Sequence, residues 1–179
     1  MQESKQFKKN FIGNTVGTGL NAFTSLFFMI IATRVNGVDK AGIFTLAFTT
    51  ACILYAIGVY AGRIYQVTEL NKKITDIDFI ISKTITSIAM IIFLLLFCVF
   101  KKYDIEKTMV FLALTIYKAL DAFCDVIYGV LQKNERLDIV GKSLTMKSII
   151  SVIAFLVVDL ITKNMLLAIG SIIFIYVLI

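Results

Sequence analysis

Six stretches of this chain are apolar enough to be membrane helices, and the polar positions inside them are patterned rather than scattered. A span needs about 20 apolar residues, each rising about 1.5 Å. The hydrophobic runs predict helices at about 11–33, 42–61, 79–100, 108–132, 143–162 and 165–179. The expected fold is therefore all-α: a single polytopic bundle of about six transmembrane helices over residues 1–179. The fourth stretch organises the rest. It reads MVFLALTIYKALDAFCDVIYGVLQ and carries Lys118, Asp121 and Asp125 in its middle. Those residues stand at i, i+3 and i+7, on one side of a helix. On insertion scales each charge costs roughly 2.5–3.5 kcal/mol at mid-membrane, so three cost roughly 8–10. The eleven Leu, Ile, Phe and Val residues around them return only about 3–7 kcal/mol. Alone, this helix is a marginal span, so it needs neighbours that cover its polar side or enclose water there.

The first stretch has a polar stripe of its own. Asn10, Asn14, Thr18, Asn21 and Ser25 recur at steps of three and four, within roughly 80° of one another on a helix. The opposite side is Phe, Leu and Ile. Gly13 and Gly17 form a GxxxG, which allows close helix packing, with Asn and Ser bonding across the interface. The same stripe could instead line a polar cavity. Asn36-Gly37 marks a turn into the second stretch. Past its end, Arg63 is placed to snorkel to the headgroups. Lys118 could neutralise Asp121 as a structural ion pair, which would leave Asp125 uncompensated one turn away. A protonatable acid beside a cation suits a proton- or Na⁺-coupled carrier or an anionic headgroup site. Asn14, Asn21, Lys118, Asp121 and Asp125 are accordingly the cavity candidates.

Composition sharpens this picture. The chain is 59% hydrophobic with a mean hydropathy of +0.89, above the roughly 45–50% of soluble domains. The bilayer is the first expected partner. Histidine is absent, which removes His-based metal sites, His general bases and Ser-His-Asp triads. No metal site, cofactor or catalytic residue is expected. No phosphate-binding glycine loop occurs, and two aspartates do not make the DGxxAR…GxxxD set of a CDP-alcohol transferase. The expectation is therefore not an enzyme. Proline is also absent, so any bend must come from glycine or a local hydrogen-bonding defect. Cys52, Cys98 and Cys124 sit in apolar runs without a CxxC and read as buried small hydrophobes.

The net charge of +6 sets orientation here and does not indicate nucleic acid. With the N-terminus inside, 11 of the 18 Lys and Arg fall in inner segments and 6 in outer ones. The inner set includes Arg63, Lys72, Lys73, Lys83 and Lys147. The last stretch stops at Ile179 without a polar flank. The expectation is a short sixth span, or one piece of a longer reading frame.

The string DVxYGxLQKxxRxDxxGKS, within residues 117–143, resembles the fourth helix and following loop of Wzx-type O-antigen and capsular polysaccharide flippases. These belong to the multidrug/oligosaccharidyl-lipid/polysaccharide exporter superfamily. Its positions here are Tyr128, Gly129, Gln132, Arg136 and Asp138. The opening NFIGNTVGTGLNAFTSLFFMIIATRVNGVDKAGIFTLAF, with Gly42, and the phrase YQVTE are also similar to that family. The resemblance implies the N-terminal lobe of a two-lobed carrier with a central cationic cavity. It implies movement of undecaprenyl-diphosphate-linked oligosaccharide across the bacterial inner membrane, with the N-terminus cytoplasmic. The implied partners are that lipid-linked sugar and either a C-terminal lobe or polysaccharide assembly proteins. The competing reading is a small membrane scaffold or assembly subunit whose polar helix docks a partner.

Overall fold

The computed structural model describes residues 2–69 and 74–179, with side chains from Lys5 onward. Among these residues the chain is entirely helical apart from caps and turns. The helices are α1 (Gln2–Asn36), α2 (Val38–Val59), α3 (Gly62–Thr68), α4 (Asp76–Lys101), α5 (Ile105–Lys133), α6 (Leu137–Thr162) and α7 (Met165–Leu178). Six are the expected stretches and α3 is a short addition. Four segments, Lys5–Asn36, Val38–Thr68, Asp76–Lys101 and Leu137–Thr162, are long and apolar enough to cross a membrane. These four fit a multi-pass membrane protein. α5 falls outside that set because its charges break the apolar window, and α7 because it has only 14 residues.

Local chemistry explains where helices start. Thr75 caps α4 in a reciprocal box: its hydroxyl accepts from the Asp78 amide, and the Asp78 carboxylate accepts from the Thr75 amide at 2.8 Å. Asp104 caps α5 by accepting from the Lys107 amide at 3.0 Å, and Asn164 caps α7 through the Leu166 and Leu167 amides. Gly37, at φ 83, makes the turn between α1 and α2 that Asn36-Gly37 predicts.

α5 packs against α2, α3, α4, α6 and α7 and carries the longest run of buried residues, so it is central in space as well as in sequence. α1 lies chiefly along α6. The two backbones meet at Gly13, Gly17 and Gly141, where a Cβ on Gly17 or Gly141 would collide with the facing main chain. The GxxxG therefore serves close packing, as the spacing suggests. The core is aromatic: Phe28 meets Phe155 at 5.1 Å between ring centroids, and Tyr117 meets Tyr176 at 4.8 Å, both edge-on. Large apolar side chains such as Phe23, Phe27, Ile92 and Phe93 point outward from the bundle. That inversion suits a lipid-facing surface.

The second helix departs from expectation. It ends at Val59 rather than near 61, and the chain turns through Tyr60 (φ 35) and Ala61 (φ 57) before α3 begins. Two consecutive non-glycine residues in the left-handed region are costly, about 1–3 kcal/mol each. The break is a local defect, which is the only kind of bend a chain without proline can make beyond glycine. Lys72 and Lys73, which weigh in the orientation argument, lie outside the described residues.

Candidate functional site

The break in α2 is held by a buried lysine. A helix end leaves its last carbonyls without intrahelical donors. Lys83 of α4, only 1% exposed, donates to the carbonyl oxygens of Gly58 at 2.9 Å and Val59 at 2.8 Å. Its ammonium also lies 4.6 Å from the Tyr60 ring centroid. A cation at a helix C-terminus is favoured by the helix dipole. The same ammonium stands 3.7 Å from the Asp125 carboxylate.

Asp125 is thus not the uncompensated acid expected from spacing along α5. It faces two cations from other helices, Lys83 and Arg63, the latter at 3.6 Å. Arg63 does not reach outward as the snorkelling argument expects. It turns inward, donates from Nε to the Gln132 side-chain oxygen at 2.9 Å, and lies over the Tyr128 ring. Sequence spacing could not show this, because both partners come from segments more than 40 positions away. The signal available was a lysine four residues inside the third apolar stretch, among Ser82, Thr84, Thr86 and Ser87.

One turn up α5, Lys118 donates to Asp121 at 3.2 Å. Its ammonium is framed by the rings of Tyr117 (5.0 Å), Tyr55 (5.1 Å) and Phe48 (5.5 Å). Lys118, Asp121 and Asp125 therefore form two adjacent charge groups on one side of α5. In the other direction the ladder continues to α3. Gln66, fully buried, sits directly against Gly129, where any side chain would displace it, and donates to Asp76 at 3.2 Å. Lys133 reaches the same carboxylate at 3.4 Å.

The family-motif positions separate into two places. Tyr128, Gly129 and Gln132 belong to the α3–α5 cluster, and Tyr128 also shares a 3.0 Å hydrogen bond with Ser143. Arg136 and Asp138 tie the α5–α6 turn to α1. The buried Asp138 carboxylate accepts from Arg136 at 3.2 Å and Gln6 at 3.3 Å, and pairs with Lys9 at 3.2 Å. Asn10 completes this clasp by donating to the Glu135 carbonyl at 2.7 Å and accepting from the Asp138 amide at 3.0 Å. Of the polar stripe on α1, Asn10 is the member that bonds across to α6. Asn14 and Asn21 are half-buried on the same side. α1 packs mainly on α6 and α2, and neither asparagine is hydrogen-bonded to the α5 charges.

Other residues change roles too. Lys147, counted by its sequence position as a flanking charge, is 3% exposed between α5, α6 and α7. Lys83 and Arg63 likewise point inward, so all three leave the orientation count and the asymmetry narrows. Cys124 is half-buried and accepts from Lys147, and Cys52 is exposed, so only Cys98 is the buried small hydrophobe expected of all three.

Compared with known families, curated proteins and solved structures, the chain matches no family model, no curated protein and no solved structure.

Proposed function

We propose that this chain is a flippase lobe that moves lipid-linked oligosaccharide repeat units across a bacterial inner membrane, without covalent chemistry. The observation that carries this reading is the charge balance inside an apolar bundle. Arg63, Lys83, Lys118 and Lys147 stand around α5 with Asp121 and Asp125, while the other two buried aspartates, Asp138 and Asp159, lie near the two ends of α6. Buried ionisable groups in membrane helices are costly, and they mark substrate or ion pathways when they persist. A local surplus of positive charge around α5 suits a diphosphate-bearing lipid. The broken α2–α3 helix beside Asp125 adds support, because carriers place sites at discontinuous helices. The resemblance of 117–143 to the Wzx-type family agrees. In this reading Asn14 and Asn21 line the cavity with Lys118, Asp121 and Asp125, the N-terminus is cytoplasmic, and a second lobe supplies the opposite wall.

The scaffold alternative has one observation in its favour. Lys118 and Asp121 satisfy one another directly, as a purely structural pair would. The test is native mass spectrometry of the purified chain in lipid discs with a polyprenyl-diphosphate-linked oligosaccharide. A flippase lobe binds it in preference to phosphatidylglycerol, and Lys118→Ala with Asp125→Asn weakens that preference. No preference over phosphatidylglycerol refutes the transport reading.

A further inference from the structure

Asp159 is the buried acid that no cation answers. It stands in the last turn of α6 and is 0% exposed. Asp121, Asp125 and Asp138 are each ion-paired, but Asp159 is in no ion pair among the described residues. Lys40 of α2 acts on it only from beyond ion-pair distance. The other charged side chains of the helix ends and turns on this side, Arg34, Asp39, Glu106, Lys107 and Lys163, are exposed or half-buried.

The Asp159 side chain takes a hydrogen bond from Asn36, the last residue of α1, whose Nδ2 donates to Oδ2 at 2.6 Å. The second oxygen of each partner is left over: Asp159 Oδ1 and Asn36 Oδ1 are both buried without a donor. Both residues sit at helix C-termini, where the dipole opposes negative charge. The amides that open neighbouring helices do not compensate, since α2 has no side-chain cap and α7 is capped by Asn164. A carboxylate here would be an unpaired buried charge, and such groups neutralise rather than stay ionised. A hard cation would need about six oxygens and would meet the repulsion of Lys40. Two acceptors facing the same gap lack one proton between them.

We infer that Asp159 is a proton-binding site: its Oδ1–H donates to Asn36 Oδ1 while Asn36 Nδ2 donates to Oδ2, and this acid–amide pair latches the ends of α1 and α6 together. One proton from solvent satisfies both left-over oxygens and removes the buried charge. At their other ends the same two helices are clasped through Asn10 and Asp138, by bonds among charged and polar groups that need no added proton. The latch therefore makes one end of the α1–α6 pair sensitive to protons and leaves the other end indifferent. It stands whether or not the chain is a flippase.

The experiment is infrared spectroscopy of the full chain at neutral pH, in a detergent without carbonyl groups. The expected result is a carboxylic-acid carbonyl band that disappears in Asp159→Asn. That variant puts an amide where the acid was and keeps both hydrogen bonds, so it removes the proton and spares the latch. In Asn36→Ala the band should move to higher frequency, because the acid carbonyl loses its Nδ2 donor, and amide exchange across 33–36 should rise several-fold. Exchange there should stay at the parent's rate in Asp159→Asn. A parent chain with no carboxylic-acid band overturns the inference, and this arm needs no variant to fold. A band that Asp159→Asn leaves intact belongs to another acid and also overturns it. Asn36→Ala carries the test if the aspartate variant does not fold: an unmoved band overturns the pairing, and exchange equal to the parent's overturns the latch.

Discussion

Replacing Lys83 with methionine should destabilise the bundle by about 3–5 kcal/mol, the range for breaking a buried ion pair by removing one partner. Methionine keeps the length and apolar stem of lysine, so the loss isolates the ammonium. The Gly58 carbonyl retains a weaker donor, the Thr86 hydroxyl at 3.3 Å. The Val59 carbonyl loses its 2.8 Å bond, and a buried unsatisfied acceptor costs about 1–3 kcal/mol. The rest comes from Asp125, left with Arg63 alone at 3.6 Å. A second change separates these parts. Adding Asp125→Asn removes the uncompensated carboxylate but cannot restore a donor to Val59. The double variant should therefore be more stable than the sum of the singles by about 0.5–3 kcal/mol, the usual range for residues in contact. The chain has no tryptophan, so unfolding is best followed by far-ultraviolet circular dichroism during denaturant titration in detergent. Lys83→Met within about 0.5 kcal/mol of the parent, the scatter of an ordinary surface change, would refute the claim that the lysine holds the helix break. Strict additivity in the double variant would show that Asp125 and Lys83 act independently.

Gly141→Leu should separate α1 from α6, because the added side chain meets the Gly13 carbonyl; protease cleavage of α1 should rise, and unchanged cleavage would contradict the close crossing. Asp138→Ala should free the α5–α6 turn from Lys9, Arg136 and Gln6, seen as faster amide exchange around Glu135 with little change near Phe155. In cells that depend on the chain for surface polysaccharide, Lys118→Ala and Asp125→Ala should lower export while the protein still inserts. Normal export by both would make the charges structural, and rescue by swapping Lys118 with Asp121 would point to a simple ion pair. A reporter fused within 101–107 should report the non-cytoplasmic side, and cytoplasmic activity there would reverse the orientation.

Hydropathy and spacing were enough to place six of the seven helices and the central one among them, but not α3. Apolar runs bounded by Asn36-Gly37, Thr75, Asp104 and Asn164 carry their own start and stop chemistry, because caps are local interactions. That α1 packs closely on a neighbour was legible at Gly13 and Gly17, since small residues four apart expose backbone on one face, but that the neighbour is α6 was not. The three charges on α5 fall on one side by helical geometry alone. Their partners did not follow from geometry within one helix. Asp125 meets Arg63 and Lys83 only because α2 breaks at Tyr60 and α3 folds back onto α5. Lys147 looked like a flanking charge because its position in the chain says nothing of the space between α5, α6 and α7. Long-range pairing depends on how helices cross, and crossing is decided by packing across many side chains at once. Local sequence can place a charge on a helix face, but only the assembled bundle decides which opposite charge stands before it.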